Sequence, residues 1–245
     1  MLKLLSSLLP AVLLLIFIYW KDKNPEPLSL VLKAFGLGVL STFLAIIIEI
    51  PMDRIGAVVL ARVPILASIY RAFFVAALPE EACKLFMLWL FLRRNKEFDE
   101  YIDGIVYSVA IGLGFAAFEN VGYVFMEGND SWTSVAFLRA LLAVPGHYAF
   151  AILMGFFYSL NHFMPRKYAS LKSLILISPV IVHGIYDTIC LLMNDDSPAL
   201  TALLSILLIA FVIRMHKYCY RRIGTLIQLD KDKEHIQQFV AAMRE

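Results

Sequence analysis

The chain has 245 residues, of which 60% are apolar and 17% charged, and its mean hydropathy is +0.75. Soluble domains are about 45–50% apolar and about 25% charged, so an ordinary soluble protein is excluded. The formal net charge is only +2, which gives no reason to expect a nucleic-acid partner. The three cysteines show no C-x-x-C spacing and lie mostly inside apolar runs, so neither a disulfide framework nor a thiolate metal site is indicated.

Long apolar runs dominate the chain, and their length matches the hydrocarbon thickness of a bilayer. We therefore predict an all-α, polytopic membrane bundle in contact with lipid. About seven spans are expected, near 2–20, 28–50, 72–92, 103–126, 134–160, 173–193 and 198–213. The segment 55–70 is apolar but contains Arg62 and Pro64, so it is interpreted as an interfacial or re-entrant piece, with an eighth span as the alternative.

The loops after the third, fifth and last spans are rich in lysine and arginine, whereas 126–132 and 194–196 contain acidic and no basic residues. Basic loops face the cytoplasm, so the carboxyl terminus is predicted to be cytoplasmic and the amino terminus external. Residues 1–215 would form the transmembrane domain, with a motif-bearing core at 72–193, and 216–245 a cytoplasmic amphipathic tail.

Several ionisable residues fall inside the predicted spans, where each one is energetically costly and calls for a function. At 1.5 Å per residue, most of them lie ~9–15 Å below the external surface. Four successive spans thus carry acids or imidazoles at similar depth, which predicts one hydrated chamber in the outer half of the membrane. The residues are Glu80, Glu81, Lys84, Glu119, Asn120, His147, His183 and Asp187.

Local spacing refines this prediction. His183 and Asp187 are four residues apart and share one helix face, and Lys84 can neutralise one member of the glutamate pair. Pro79 precedes that pair and favours a kink that would admit water. Small residues also recur at helical spacing in the fourth span, which permits close helix approach: Ser108, Gly112 and Ala116 on one line, Ala110 and Gly114 on the next.

Three kinds of chemistry fit these residues, and the spacing leaves all three open. A glutamate could activate water for hydrolysis. Zinc could assist hydrolysis if Glu119, His147 and His183 bind it, although the H-E-x-x-H signature is absent. An ion- or proton-coupled transporter also carries such residues at mid-membrane.

The order of four short motifs narrows the choice. Residues 80–84 read E-E-x-x-K, 115–120 read F-x-x-x-E-N, 146–147 read G-H, and 183–187 read H-x-x-x-D. On four successive helices, this arrangement resembles the PrsW family of bacterial intramembrane proteases, distant relatives of the CAAX prenyl-proteases. Those relatives have histidine where Glu119 stands and asparagine where Asp187 stands.

The resemblance implies a protease of the bacterial cell membrane, the inner membrane where there are two. It would make the first, extracytoplasmic cut in a single-span anti-sigma factor. By similarity, Glu80 would activate water with support from Glu81, and Glu119 would be a second acid. His183 would bind water or stabilise the oxyanion, and Asp187 would orient His183, with Lys84, Asn120 and His147 in support. The cofactor is left open between one zinc ion and none.

Overall fold

The computed structural model describes residues 1–128, 131–193 and 197–242, and the side chains as far as residue 238. Parts of two loops predicted to be external and the last three residues of the predicted tail therefore lie outside the described residues. Seven long helices account for the architecture, and the described ranges contain no strand. The predicted all-α bundle is confirmed.

We number these helices in chain order. Helix α1 is Leu2–Tyr19, α2 is Leu28–Val59, and α3 is continuous through Pro64–Tyr70, Arg71–Ala77 and Leu78–Leu92; α4 is Asp103–Met126; α5 is continuous through Trp132–Leu138, Arg139–Ala143 and Val144–Phe163; α6 is Leu174–Leu192, preceded by short turns at Pro165–Tyr168 and Ala169–Leu171; and α7 is Pro198–Ala242.

Each predicted span corresponds to one of these helices. Six helical segments in the described chain are long and apolar enough to cross a membrane. Helix α3 also has the length, but Glu80, Glu81 and Lys84 lie together within it. The charge of this group is why α3 is not among the six, although the apolar run at 72–92 predicts a span there.

The structure corrects the prediction for residues 55–70. Helix α2 continues through Pro51 to Val59, and α3 already begins at Pro64, so the segment is a helical corner rather than a separate re-entrant element or an eighth span. Pro64 fits this position because the first residue of a helix needs no backbone N–H partner. The Tyr70 hydroxyl closes the corner by donating to the Met52 carbonyl at 3.1 Å.

The predicted tail continues the last span, because α7 runs without a break from Pro198 to Ala242. Asp230 on this extension accepts hydrogen bonds from the backbone N–H groups of Tyr101 and Ile102, at 2.6 and 3.0 Å. The carboxyl-terminal part of α7 is thus joined to the start of α4.

Helix α4 lies at the centre of the bundle, and small residues let its neighbours approach closely. A Cβ added to Gly114 would lie 2.0 Å from the Phe35 carbonyl oxygen of α2. One added to Gly112 would lie 2.7 Å from the Ala151 Cβ of α5, and the Ser108 hydroxyl donates to the Ala151 carbonyl at 2.8 Å. The predicted close approach is confirmed, with the two lines of small residues facing two different helices.

Wide π-helical turns occur in α3 and α5, each just before a proline. Arg71–Ala77 precedes Pro79, and Arg139–Ala143 precedes Pro145. Proline lacks an N–H and its ring clashes with the carbonyl four residues earlier, a conflict that a wider turn accommodates. Such turns are frequent at functional sites, and here they directly precede the buried polar residues of both helices.

Candidate active site

A buried ammonium group lies at the centre of the polar cluster. Lys84 Nζ is 3.0 Å from Glu80 Oε2, 2.8 Å from Glu81 Oε1 and 3.1 Å from His147 Nδ1. The three N–H donors of the lysine therefore have three acceptors. Lys84 is only 3% exposed, so its charge holds the two glutamates of α3 and the histidine of α5 together out of water.

The two histidines are oriented in the same way. His147 turns Nδ1 to Lys84 and Nε2 to Glu119 Oε2, at 3.0 Å. His183 turns Nδ1 to Glu81 Oε1 at 3.0 Å and Nε2 to Asp187 Oδ2 at 3.2 Å. Each imidazole thus presents Nδ1 to the common centre, while a carboxylate behind it fixes the ring through Nε2.

The protonation of the two rings follows from these neighbours. Because the Lys84 ammonium donates to Nδ1 of His147, the ring carries its hydrogen on Nε2 and donates it to Glu119. Both nitrogens of His183 face carboxylates. In this arrangement both ring nitrogens of His183 are engaged, and the role suggested for it from sequence, binding water or stabilising the oxyanion, stays a prediction.

Arg139 of α5 binds the two polar side chains that α4 contributes to the cluster. Its Nη2 donates to Glu119 Oε2 at 2.7 Å and its Nε to Asn120 Oδ1 at 2.9 Å. Asn120 in turn donates to the Ser7 carbonyl of α1 at 2.8 Å. The adjacent Glu119 and Asn120 are therefore held by a single guanidinium group.

A cavity of about 980 Å³ opens beside this cluster. Glu80, Glu119, His147, His183 and Asp187 line it, whereas Glu81 is 0% exposed and lies behind them. Apolar side chains of the last three helices form much of the remaining wall: Leu138, Leu142, Phe150, Leu191, Leu208 and Ile209. The cavity is large enough for several residues of an extended peptide, with carboxylates and imidazoles on one wall.

Four side chains could hold a metal ion together. Glu80, Glu81, His147 and His183 each offer one ligand atom, and these atoms lie within 4.8 Å of one another. Glu119, which the sequence suggested as a ligand, is instead bound to the outer nitrogen of His147. The two glutamates of α3 take the place of Glu119 because the neighbouring helix is rotated to turn Glu119 towards Arg139.

The chemistry of this group fits zinc. Two imidazoles and carboxylates are common zinc ligands, and a carboxylate behind each imidazole is the usual support for a metal-bound histidine. Glu81 Oε2 is buried and has no hydrogen-bond partner among the described residues, so one oxygen of this carboxylate keeps free lone pairs. In the structure, Lys84 supplies the positive charge between Glu80, Glu81 and His147.

All of the site residues predicted from sequence thus meet at one place. Arg139, Glu49 and Tyr123 also line the cavity but were not assigned to the site from sequence. The signal for Arg139 was available, because it is a charged residue at membrane depth and lies eight residues, about two helical turns, before His147.

Comparison with known proteins identifies the family. The model of the PrsW family intramembrane metalloproteases matches residues 26–215. The protease PrsW of Geobacillus kaustophilus is 39% identical over 189 residues, which cover 76% of this chain and 78% of the relative. The protease PrsW of Oceanobacillus iheyensis is 32% identical over 218 residues, 89% of this chain and 96% of the relative.

The protease PrsW of Bacillus subtilis is 33% identical over 189 residues, which cover 75% of this chain and 80% of the relative. No solved structure matches the chain. The family match includes all four motifs and favours the hydrolase over the transporter. The chain is therefore a multi-pass membrane protein that belongs to the PrsW family of intramembrane proteases.

Proposed function

We propose that this protein cuts a single-span membrane protein, such as an anti-sigma factor, near its extracytoplasmic end. One observation carries the proposal: Glu80 lines the cavity, and Lys84 Nζ holds its Oε2 at 3.0 Å within a cluster of imidazoles and carboxylates. A carboxylate fixed in this way beside a space for peptide is suited to take a proton from water.

The two glutamates of α3 have different roles in the proposed reaction. Glu80 accepts a proton from the water that attacks the scissile carbonyl carbon, and it later returns a proton to the departing amine. Glu81 does not reach the cavity, and it positions Lys84 and His183 through its buried oxygen. Glu119 and Asp187 then fix the orientation of the two imidazoles from behind.

A metal ion would be held by side chains of this same cluster and would add to its chemistry. Glu80, Glu81, His147 and His183 would hold it. When bound, zinc polarises a carbonyl and makes water more acidic. Lys84 would then have to give up part of its contacts, because two cations compete for the same oxygens.

The expected cut lies on the external side for a reason independent of the site. The basic loops at 93–96, 166–172 and 214–222 are proposed to face the cytoplasm. Glu119 and Asp187 lie nearer the opposite ends of α4 and α6, whereas Glu80, His147 and His183 lie near the middle of their helices. The cavity wall formed by Glu119 and Asp187 therefore favours an external cut. The carboxyl terminus is cytoplasmic in the same arrangement.

Reconstituted vesicles provide the test. The wild type is mixed with a panel of bacterial single-span anti-sigma factors that carry different tags at their two ends, and the products are located by mass spectrometry. We expect one cut in the external juxtamembrane region. Glu81→Gln, Glu119→Gln, His183→Ala and Asp187→Asn should each reduce it, and a chelator distinguishes the metal-dependent from the metal-free mechanism. Unchanged cleavage by all four variants would refute the proposal.

A further inference from the structure

The cavity needs a hydrogen-bond donor for the oxygen of the scissile peptide bond. When water attacks a carbonyl, that oxygen gains negative charge, and donors that already point at it stabilise the transition state. Many proteases use backbone N–H groups for this purpose. Here the polar residues come from the interiors of membrane-spanning helices, whose backbone N–H groups are engaged within the helices. The donor must therefore be a side chain.

Most cationic side chains around the cluster are already engaged. Lys84 uses its three N–H donors on Glu80, Glu81 and His147. Both ring nitrogens of His183 face carboxylates. Neither residue can donate to a substrate without losing a contact that holds the cluster together.

Arg139 is differently placed, because only part of its guanidinium is used. Its Nε and Nη2 donate to Asn120 and Glu119, and its carbon Cζ lies 4.0 Å from the ring centre of Tyr123. Nη1 makes no hydrogen bond to any described residue. The side chain is 15% exposed and lines the cavity together with Glu80.

These contacts make the free edge of the guanidinium a rigid donor. Arginine carries five N–H groups in a planar fork, so fixing two of its nitrogens also fixes the direction of the third. The other arginine of the cavity wall, Arg71, is half exposed and paired with Asp53, and none of its described contacts reaches the cluster.

We propose that Arg139 is a further catalytic residue, whose Nη1 donates to the carbonyl oxygen of the scissile bond. Water attacks the carbonyl carbon and gives its proton to Glu80, while the carbonyl electron pair moves to the oxygen next to Arg139. When the intermediate collapses, the C–N bond breaks and the amine takes the proton. On this account Glu119 and Asn120 orient the arginine.

The inference rests on the proposed proteolytic function, so its test uses a substrate that the wild type cleaves in vesicles. Arg139→Lys keeps the charge but cannot reproduce the fork, and Arg139→Ala removes the group. We expect kcat to fall about 10²–10³-fold in both variants, as on loss of an oxyanion donor, with KM changed less than threefold. Added guanidinium ion should restore part of the activity of Arg139→Ala and none of that of Glu80→Gln.

Arg222 provides the matched control, because it is also half buried and lies against an aromatic ring, with its Cζ 4.2 Å from the ring centre of Tyr218, but it does not line the cavity. Arg222→Lys should retain wild-type kcat. Thermal unfolding of each variant measures the folded fraction, and rates are expressed per folded molecule.

The possible failures are distinguishable. If the wild type cleaves its substrate and both Arg139 variants keep kcat within threefold, Arg139 is not the donor. If Arg139→Ala is folded and inactive but guanidinium ion restores nothing, its role is structural and the inference is overturned. If the wild type cleaves no single-span substrate, the proposed function fails, and this inference fails with it.

Discussion

Replacing Lys84 by methionine should destabilise the whole bundle. Methionine has a similar length but no charge, so Glu80 and Glu81 would remain as buried carboxylates without the ammonium that lies 3.0 and 2.8 Å from them. Removing one partner of a buried ion pair costs about 3–5 kcal/mol. At about 2–4 °C per kcal/mol for a chain of this size, the unfolding temperature should fall by roughly 6–20 °C.

The cause of that loss can be tested separately from its size. If uncompensated charge is responsible, adding Glu81→Gln to Lys84→Met should recover at least half of the lost stability. Thermal unfolding in detergent micelles, followed by the accessibility of the buried Cys83, provides the measurement. Lys33→Met, at an exposed position on α2, is the matched control and should leave the midpoint unchanged. A Lys84→Met midpoint within about 2 °C of the wild type would refute the reasoning.

Three further substitutions test the packing, the loop before α2 and the tail. Gly155→Ala places a Cβ 2.3 Å from a backbone oxygen of α4 and should cost about 1–3 kcal/mol, whereas Gly122→Ala meets nothing within 4 Å and should not destabilise; equal midpoints would argue against the close contact. Burial raises the pKa of Asp22, in the loop before α2, from 3.8 to about 7, so the folded state binds the extra proton and stability should rise as pH falls from 8 to 5. Asp22→Asn should flatten that dependence, and an unchanged slope would contradict this assignment. Asp230→Ala removes two acceptors at the start of α4 and should lower the unfolding midpoint, while Asp232→Ala, at an exposed position, should not; the same midpoint in both would show that the tail contributes nothing to the bundle.

The helices and the meeting of the motif residues could be predicted from the sequence because both depend on distances along the chain. Hydropathy gives the length of each span, and a fixed rise per residue gives the depth of Glu80 or His183 within it. Residues at similar depth in a small bundle must lie near one another. Depth along the chain therefore predicts the chamber without any information on the contacts between helices.

The contacts between residues could not be predicted in the same way, because they depend on how each helix is rotated about its axis. Spacing shows that Lys84 can reach either glutamate of its own helix, but not that it also meets His147. The rotation of α4 and α5 also brings Glu119 to Arg139 and to the outer nitrogen of His147, which spacing along the chain does not show. Residues 55–70 were set apart because Arg62 and Pro64 interrupt the apolar run, but in the structure the segment is shared between the end of α2 and the start of α3.

The central claim, that the cluster around Lys84 is the catalytic centre, is tested most directly by one rate. Glu80→Gln keeps the size of the side chain and its ability to accept from Lys84, but it cannot take a proton from water. In vesicles with a substrate that the wild type cleaves, its single-turnover rate should fall at least 10²-fold, as expected on loss of a general base. Glu97→Gln, in an exposed loop, should cleave at the wild-type rate. A folded Glu80→Gln protein that cleaves as fast as Glu97→Gln would contradict the account.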